Sequence, residues 1–245
     1  MRTAIIADMH GNLVALDAVL AEIRAEGVEQ VVCLGDVAAT GPQPAQVLAR
    51  LRELGCPQVM GNADAFLLEP TVTADAQDQQ RKIEEIDVWC AGQLSEEDRA
   101  FLAGFKPTVS VPLGEGTTLL AYHGSPRSYV EVITAETPDA TLAEMFAGHQ
   151  AQVFAGGHTH VQMLRRHRDT LVVNPGSVGL PMDAVPPAEG IMNAVWAEYA
   201  VVTVEGGRLE VSLRRTPFDG GALLRAADES GMPHATWWKA DWRRA

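Results

Sequence analysis

Through the first sixty residues, short apolar runs that stop at a polar residue alternate with segments whose apolar positions recur every three or four residues. Residues 3–7 (TAIIA) form one such run, ended by Asp8, as in a strand buried on both faces. Leu13, Leu16, Leu20 and Ile23 follow at helical spacing, with Asn12 placed to cap the helix and Gly27 to end it. Residues 31–34 (VVCL) read as a second buried strand, stopped by Gly35-Asp36. Val47, Leu48, Leu51 and Leu54 mark a second helix closed by Gly55, and Pro57 to Met60 a third short strand before Gly61-Asn62. This alternation predicts a parallel sheet with right-handed crossovers.

Beyond it the pattern changes. Residues 69–98 hold nine acidic and two basic side chains and few apolar runs. Helices are expected at about 75–91 and 95–103, a helical excursion over about 69–105 within one domain spanning 1–245. Strands are expected at 108–113, 117–122, 151–155, 161–167, 170–174, 200–204 and 208–215, with helices at 138–147 and 219–229. Glu205-Gly206-Gly207-Arg208 has the composition of a hairpin turn, and 175–190 that of a loop. Trp237, Trp238 and Trp242 make the tail at about 230–245 aromatic, suited to core packing or to a homo-oligomer contact with a second copy.

Composition narrows the function classes. The formal net charge of −13 disfavours polymeric nucleic acid and anionic membranes as partners. The same charge leaves a small anionic substrate in need of a local positive source. Cys33, Cys56 and Cys90 are odd in number and lack metal or disulfide spacing, which suits a reducing, cytoplasmic setting. The run at residues 4–7 is too short for a signal-peptide core or a membrane span.

The polar residues that end the strands carry the chemistry. Asp8 and His10 follow the first strand, Asp36 the second and Asn62 the third; His123 follows 117–122, and His158 and His160 follow 151–155. Carboxyl ends of strands are where open α/β sheets place ligands. Singly, each has a plainer reading as a turn residue or a satisfied histidine. Together, three oxygen donors and four imidazoles match the needs of two divalent cations. Only two of the seven donors are charged, so two such ions would leave a net positive site able to attract phosphate.

The ordered series Asp8-x-His10, Gly35-Asp36, Gly61-Asn62-x-Asp64, His123-Gly124 and Gly157-His158-Thr159-His160 resembles the calcineurin-like metallophosphoesterase superfamily. The turn Asn174-Pro175-Gly176-Ser177-Val178-Gly179 brings it nearest to the compact bacterial phosphodiesterases, over residues 1 to about 215. The resemblance implies an α/β (α+β) fold: a four-layer αββα sandwich of two mixed β-sheets flanked by helices. It also implies that Asp8, His10 and His160 hold one metal, that Asp36 bridges, and that Asn62, His123 and His158 complete the second site. The implied reaction is in-line attack on a small phosphate ester by a metal-bridging hydroxide, with Asp36, Asn62 and His123 at its catalytic centre. Mn2+ is the metal expected to support activity, and Fe, Zn2+ or Ni2+ also suit mixed N/O donors.

Two departures qualify the resemblance. Many family members carry a histidine after the motif's Asn that protonates the leaving group or binds phosphate; here the position is Ala63. General acid catalysis contributes about 10²–10⁴-fold, so esters with good leaving groups are expected. Near Met182, where relatives often have an arginine, this chain reads Leu180-Pro181-Met182-Asp183. Arg127 is then a candidate substrate-binding residue, with an exposed loop arginine the plainer reading; Asn62 and Asn174 are further candidates, with a structural turn residue the alternative for Asn174, and Asp64 is a partner that orients a ligand histidine. His149, His167 and His234 are read as structural or surface residues. A phosphatase or dinucleoside polyphosphate hydrolase would use the same site. A non-catalytic scaffold with this fold would be expected to lose ligands, and all seven are present.

Overall fold

The computed structural model describes residues 1–183 and 192–242. Its strands are β1 (Arg2–Ile6), β2 (Gln30–Cys33), β3 (Val109–Gly114), β4 (Thr117–Ala121), β5 (Val153–Ala155), β6 (Met163–His167), β7 (Thr170–Asn174), β8 (Met182–Asp183), β9 (Met192–Asn193), β10 (Trp196–Glu205) and β11 (Arg208–Pro217). Its helices are α1 (Leu13–Ala25), α2 (Pro44–Leu54), α3 (Asn62–Leu68), α4 (Asp78–Gly92), α5 (Glu96–Ala103), α6 (Asp139–Met145), α7 (Gly220–Glu229) and α8 (Ala235–Ala240).

Two mixed sheets form the centre. One has the order β11-β10-β1-β2, with β1 parallel to β2 and antiparallel to β10. The other runs β3-β4-β5-β7-β6, parallel where β5 meets β4 and β7 and antiparallel at both edges. Alternation along the strands explains the layers. Ala4 and Ile6 of β1 pack with residues of α1, α2 and α7, whereas Ile5 and Ala7 face a core shared with Leu119, Ala121, Val153 and Val173 of the other sheet. Leu120 and Val172 point the other way, against Leu142 and Met145 of α6. The four-layer αββα sandwich is thus the observed architecture. Runs such as Ile5-Ile6-Ala7 are continuous because both faces of their sheet are covered.

Local signals place the elements well. The Asn12 side chain accepts from the Ala15 N–H at 3.0 Å and caps α1. Gly206 and Gly207 have φ of 57° and 74°, as the two-residue turn between β10 and β11 requires. Differences arise where elements are shortest. Residues 57–60 make single bridges to Cys33 and Lys106 instead of a strand, because Pro57 and Gly61 leave too few pairing positions between them. Residues 62–68, unassigned from the sequence, form α3, and α8 turns the aromatic tail into a helix. The expected loop at 175–190 contains β8; its residues 184–190, like 243–245 of the tail, lie outside the described residues. Trp238 and Trp242 are buried within this chain's own core, so core packing suffices to explain them.

Candidate metal centre

The expected ligand residues sit on four loops that leave the carboxyl ends of β1, β2, β4 and β5, and on the first residue of α3. Five of the nine non-glycine residues with positive φ among the described residues are Asp8, His10, Asp36, His158 and His160. Such conformations cost about 1–3 kcal/mol each and persist only where the surroundings enforce them. Close packing does so here. The Asp8 N–H donates to the Gly35 carbonyl at 2.9 Å, and the His10 N–H to that of Asp36 at 3.0 Å. A side chain at Gly41 would collide with the His10 carbonyl, and one at Gly179 with that of Met9.

The loops converge as two groups, Asp8 with His10 and His160, and Asp36 with His123 and His158; within each group the ligand atoms lie within 4.8 Å of one another. Hydrogen bonds on the outer side orient the imidazoles. Nδ1 of His10, His160 and His123 donates to the carbonyls of Ala39, Leu180 and Leu34 at 3.2, 2.9 and 2.7 Å. In the neutral imidazole the inward Nε2 then carries a lone pair. His10 Nε2 and His160 Nε2 lie 3.1 Å apart, and His123 Nε2 lies 3.1 Å from Asn62 Oδ1 and 3.2 Å from Asp36 Oδ2. Lone pairs aimed at lone pairs need a positive charge between them, a proton or a metal ion. The donor set therefore fits two cations, and the outer hydrogen bonds are those that orient metal-binding histidines.

Without cations the electrostatics show the same demand. Burial, and then the neighbouring His160, lower His10 to about 4. Burial would lower His123 as well, but the Asp36 and Asp8 carboxylates outweigh it and raise the imidazole to about 10. Asp36, against the burial that would raise it, is held well below the usual carboxylate range by His123 and His10. Burial pushes His158, the half-buried member, down.

Three expected partners are engaged differently from the sequence reading. Asp64 touches no ligand histidine; its carboxylate accepts the N–H groups of Asp36, Val37 and Gly61 at 2.7, 2.9 and 3.0 Å. It orients the backbone on which Asp36 and Asn62 stand, and burial with the nearby Asp36 carboxylate pushes it up to about 7. Asn174 is buried, and its amide binds the Gly157 carbonyl at 2.7 Å, Thr159 at 3.0 Å and the Gly176 N–H at 2.9 Å. It holds the His158 loop in place, and the turn-residue alternative describes it better than substrate contact. Arg127 is exposed and its guanidinium pairs with Glu131 at 2.8 Å.

The sequence reading missed a clamp on the loop after β2. Thr40, β-branched yet at φ 63°, donates from Oγ1 to Asp87 of α4 at 2.8 Å, and its carbonyl accepts from Trp238 Nε1 of α8 at 2.8 Å. The preceding carbonyl, Ala39, is the one that orients His10. The acidic excursion and the tail therefore help to fix the centre from behind. No period or motif in the sequence marks such a contact.

The chain belongs to the calcineurin-like phosphoesterase superfamily, whose domain model matches residues 1–196. It is 26% identical to a metallophosphoesterase structure from Sphaerobacter thermophilus, covering 98% of each chain with a TM-score of 0.74. It is also 26% identical over 207 residues to phosphodiesterase YfcE of Escherichia coli, covering 79% of this chain and 88% of that one. A shorter match, 41% over 71 residues, is to a symmetrical bis(5'-nucleosyl)-tetraphosphatase of Pectobacterium carotovorum, 28% of this chain and 25% of that one. Among the described residues, no helix is long and apolar enough to cross a membrane.

Proposed function

We propose that the chain is a metal-dependent phosphodiesterase that hydrolyses small phosphate esters at this centre. The observation that carries the reading is the convergence of three oriented Nε2 atoms on Asp8 and Asp36. Asp8, His10 and His160 would hold one divalent ion, and Asp36, Asn62, His123 and His158 the other, with Mn2+ the metal of choice for assay. Such ions supply Lewis acidity, acidifying water near neutral pH and offsetting the charge on phosphoryl oxygens. The chain's part is positional. Asp36 stays ionised, its Oδ1 fixed by the Ala63 N–H at 2.8 Å and its Oδ2 facing His123. Ala63 thus contributes its backbone but no acid for the leaving group, which favours esters whose leaving group is stable as an anion.

Similarity along most of both chains supports the phosphodiesterase reading over a dinucleoside tetraphosphatase, whose match is confined to 71 residues. The test is metal analysis of the purified protein with hydrolysis of bis(p-nitrophenyl) phosphate. Chelation should abolish turnover and Mn2+ restore it, and Asp36→Asn should lower it by about 10³-fold or more. Turnover that survives both chelation and Asp36→Asn would rule the reading out.

A further inference from the structure

Beside the centre lies a cleft of about 540 Å3, walled by Met60, by Phe105 and Pro107 and by the loop 125–130. Its walls grow directly from ligand positions. Met60 stands two residues before Asn62 and Ser125 two after His123, and the side chains of Asn62 and His123 are 3.1 Å apart. The Met60 N–H donates to the Lys106 carbonyl at 2.8 Å, which ties the second wall to the first. The third wall folds over Gly124, where a side chain would meet the Glu131 and Ser128 carbonyls at 2.5 and 2.9 Å.

The polar groups of that third wall are engaged with one another. Ser125 Oγ donates to Glu131 at 2.5 Å and accepts from the Ser128 N–H at 3.1 Å. Arg127 Nε lies 2.9 Å from Glu131 Oε1. What remains open is apolar: the buried Phe105, Met60, two prolines, and Tyr129 and Val130, which are 44% and 58% exposed. Exposed apolar side chains around a cleft of ligand size mark a binding surface. With Arg127 paired to Glu131, the cleft offers its apolar faces to a flat, uncharged ring.

We propose that this cleft is the subsite for an aromatic group esterified to the phosphate, so that the substrates are aromatic phosphodiesters. The proposal rests on the phosphodiesterase reading of the adjacent centre. A diester has two organic arms, and the cleft lets one be recognised while the phosphorus stays at the ligand cluster. The ring can belong to an aryl ester, one bond from the ester oxygen, or to a nucleoside, a sugar away.

Calorimetry on Mn2+-loaded protein separates these cases with three probes whose organic group is joined to phosphorus by an unhydrolysable P–C bond: methylphosphonate, phenylphosphonate and the 5'-methylenephosphonate isostere of thymidine 5'-phosphate. Phenylphosphonate or the thymidine probe should bind about tenfold or more tighter than methylphosphonate. The stronger of the two identifies the source of the ring. Tyr129→Ala should bring that ratio towards one, and Val130→Ala should lower it less. Equal affinity of all three probes, or a ring preference untouched by both variants, overturns the proposal while leaving the phosphodiesterase reading intact. So does the absence of binding by any probe in protein that still hydrolyses bis(p-nitrophenyl) phosphate. Loss of both binding and turnover overturns both.

Discussion

The loop after β2 is bonded to the rest of the fold at almost every residue, whereas the loop at 125–131 bonds mainly to itself. In the first, Asp36 and Val37 donate to Asp64, the carbonyls of Asp36, Val37 and Ala39 accept from His10 and Gly11, and Thr40 is held by α4 and α8. In the second, Ser125, Arg127 and Ser128 satisfy one another and Glu131, and Tyr129 and Val130 stand exposed. The difference teaches a division of labour. Residues that must meet within hydrogen-bonding distance are over-determined and strained. Those proposed to select a substrate's outer part sit on a loop whose side chains can change without disturbing the floor.

If this contrast is right, variants should separate in size. Asp64→Asn removes one acceptor from the backbone turn beneath Asp36 and Asn62, and should weaken Mn2+ binding by about 10- to 100-fold in a titration calorimeter. Unchanged metal affinity would show that the floor is less tightly determined than its hydrogen bonds suggest. Asp87 gives a pH signature from further back. Burial pushes it up to about 7, against about 3.9 when unfolded, so the folded state retains the proton longer. Its contribution is neutral at low pH and becomes destabilising as pH rises from about 4 to about 7, then levels off. Asp87→Asn keeps the acceptor for Thr40 and should gain about 1–3 kcal/mol relative to wild type between pH 5 and pH 8, measured by urea unfolding. An identical pH dependence in the two proteins would contradict this. The smallest effect belongs to the rim. Arg127→Ala removes an exposed ion pair and should leave the urea unfolding midpoint almost unchanged. A larger loss in urea would make the rim as rigid as the floor.

Strand ends were the most legible part of the molecule. Asp8, His10, Asp36, His123, His158 and His160 could be picked out because an apolar run that stops at a polar donor is unusual, and its repetition more so. The inner strands also followed from apolar runs, since burial on two faces leaves no alternation to misread, whereas the division into two mixed sheets came from the family resemblance. The supporting contacts were not legible. The Thr40–Asp87 pair joins residues 47 positions apart. A threonine forced into the left-handed region carries no local sign. Asp64 could be placed beside the site, but not assigned to backbone instead of histidine, because both roles put an acid two residues after Asn62. Asn174 and Arg127 had the right chemistry to touch phosphate, and only their geometry shows each already occupied.

β1, which leads into Asp8 and His10, is flanked by β2 and β10, and the Met1 amino group donates to Val204 across 203 residues. During synthesis the first ligand loop is therefore translated long before the strand that completes its sheet. His158 and His160, also needed at the centre, come later than three of its other ligand loops. The nascent chain must carry Asp8, His10 and Asp36 in an unfinished setting, with one edge of β1 open to foreign strands. Assembly of the centre then waits on its last loop, and the open edge of β1 is covered only once β10 has been made.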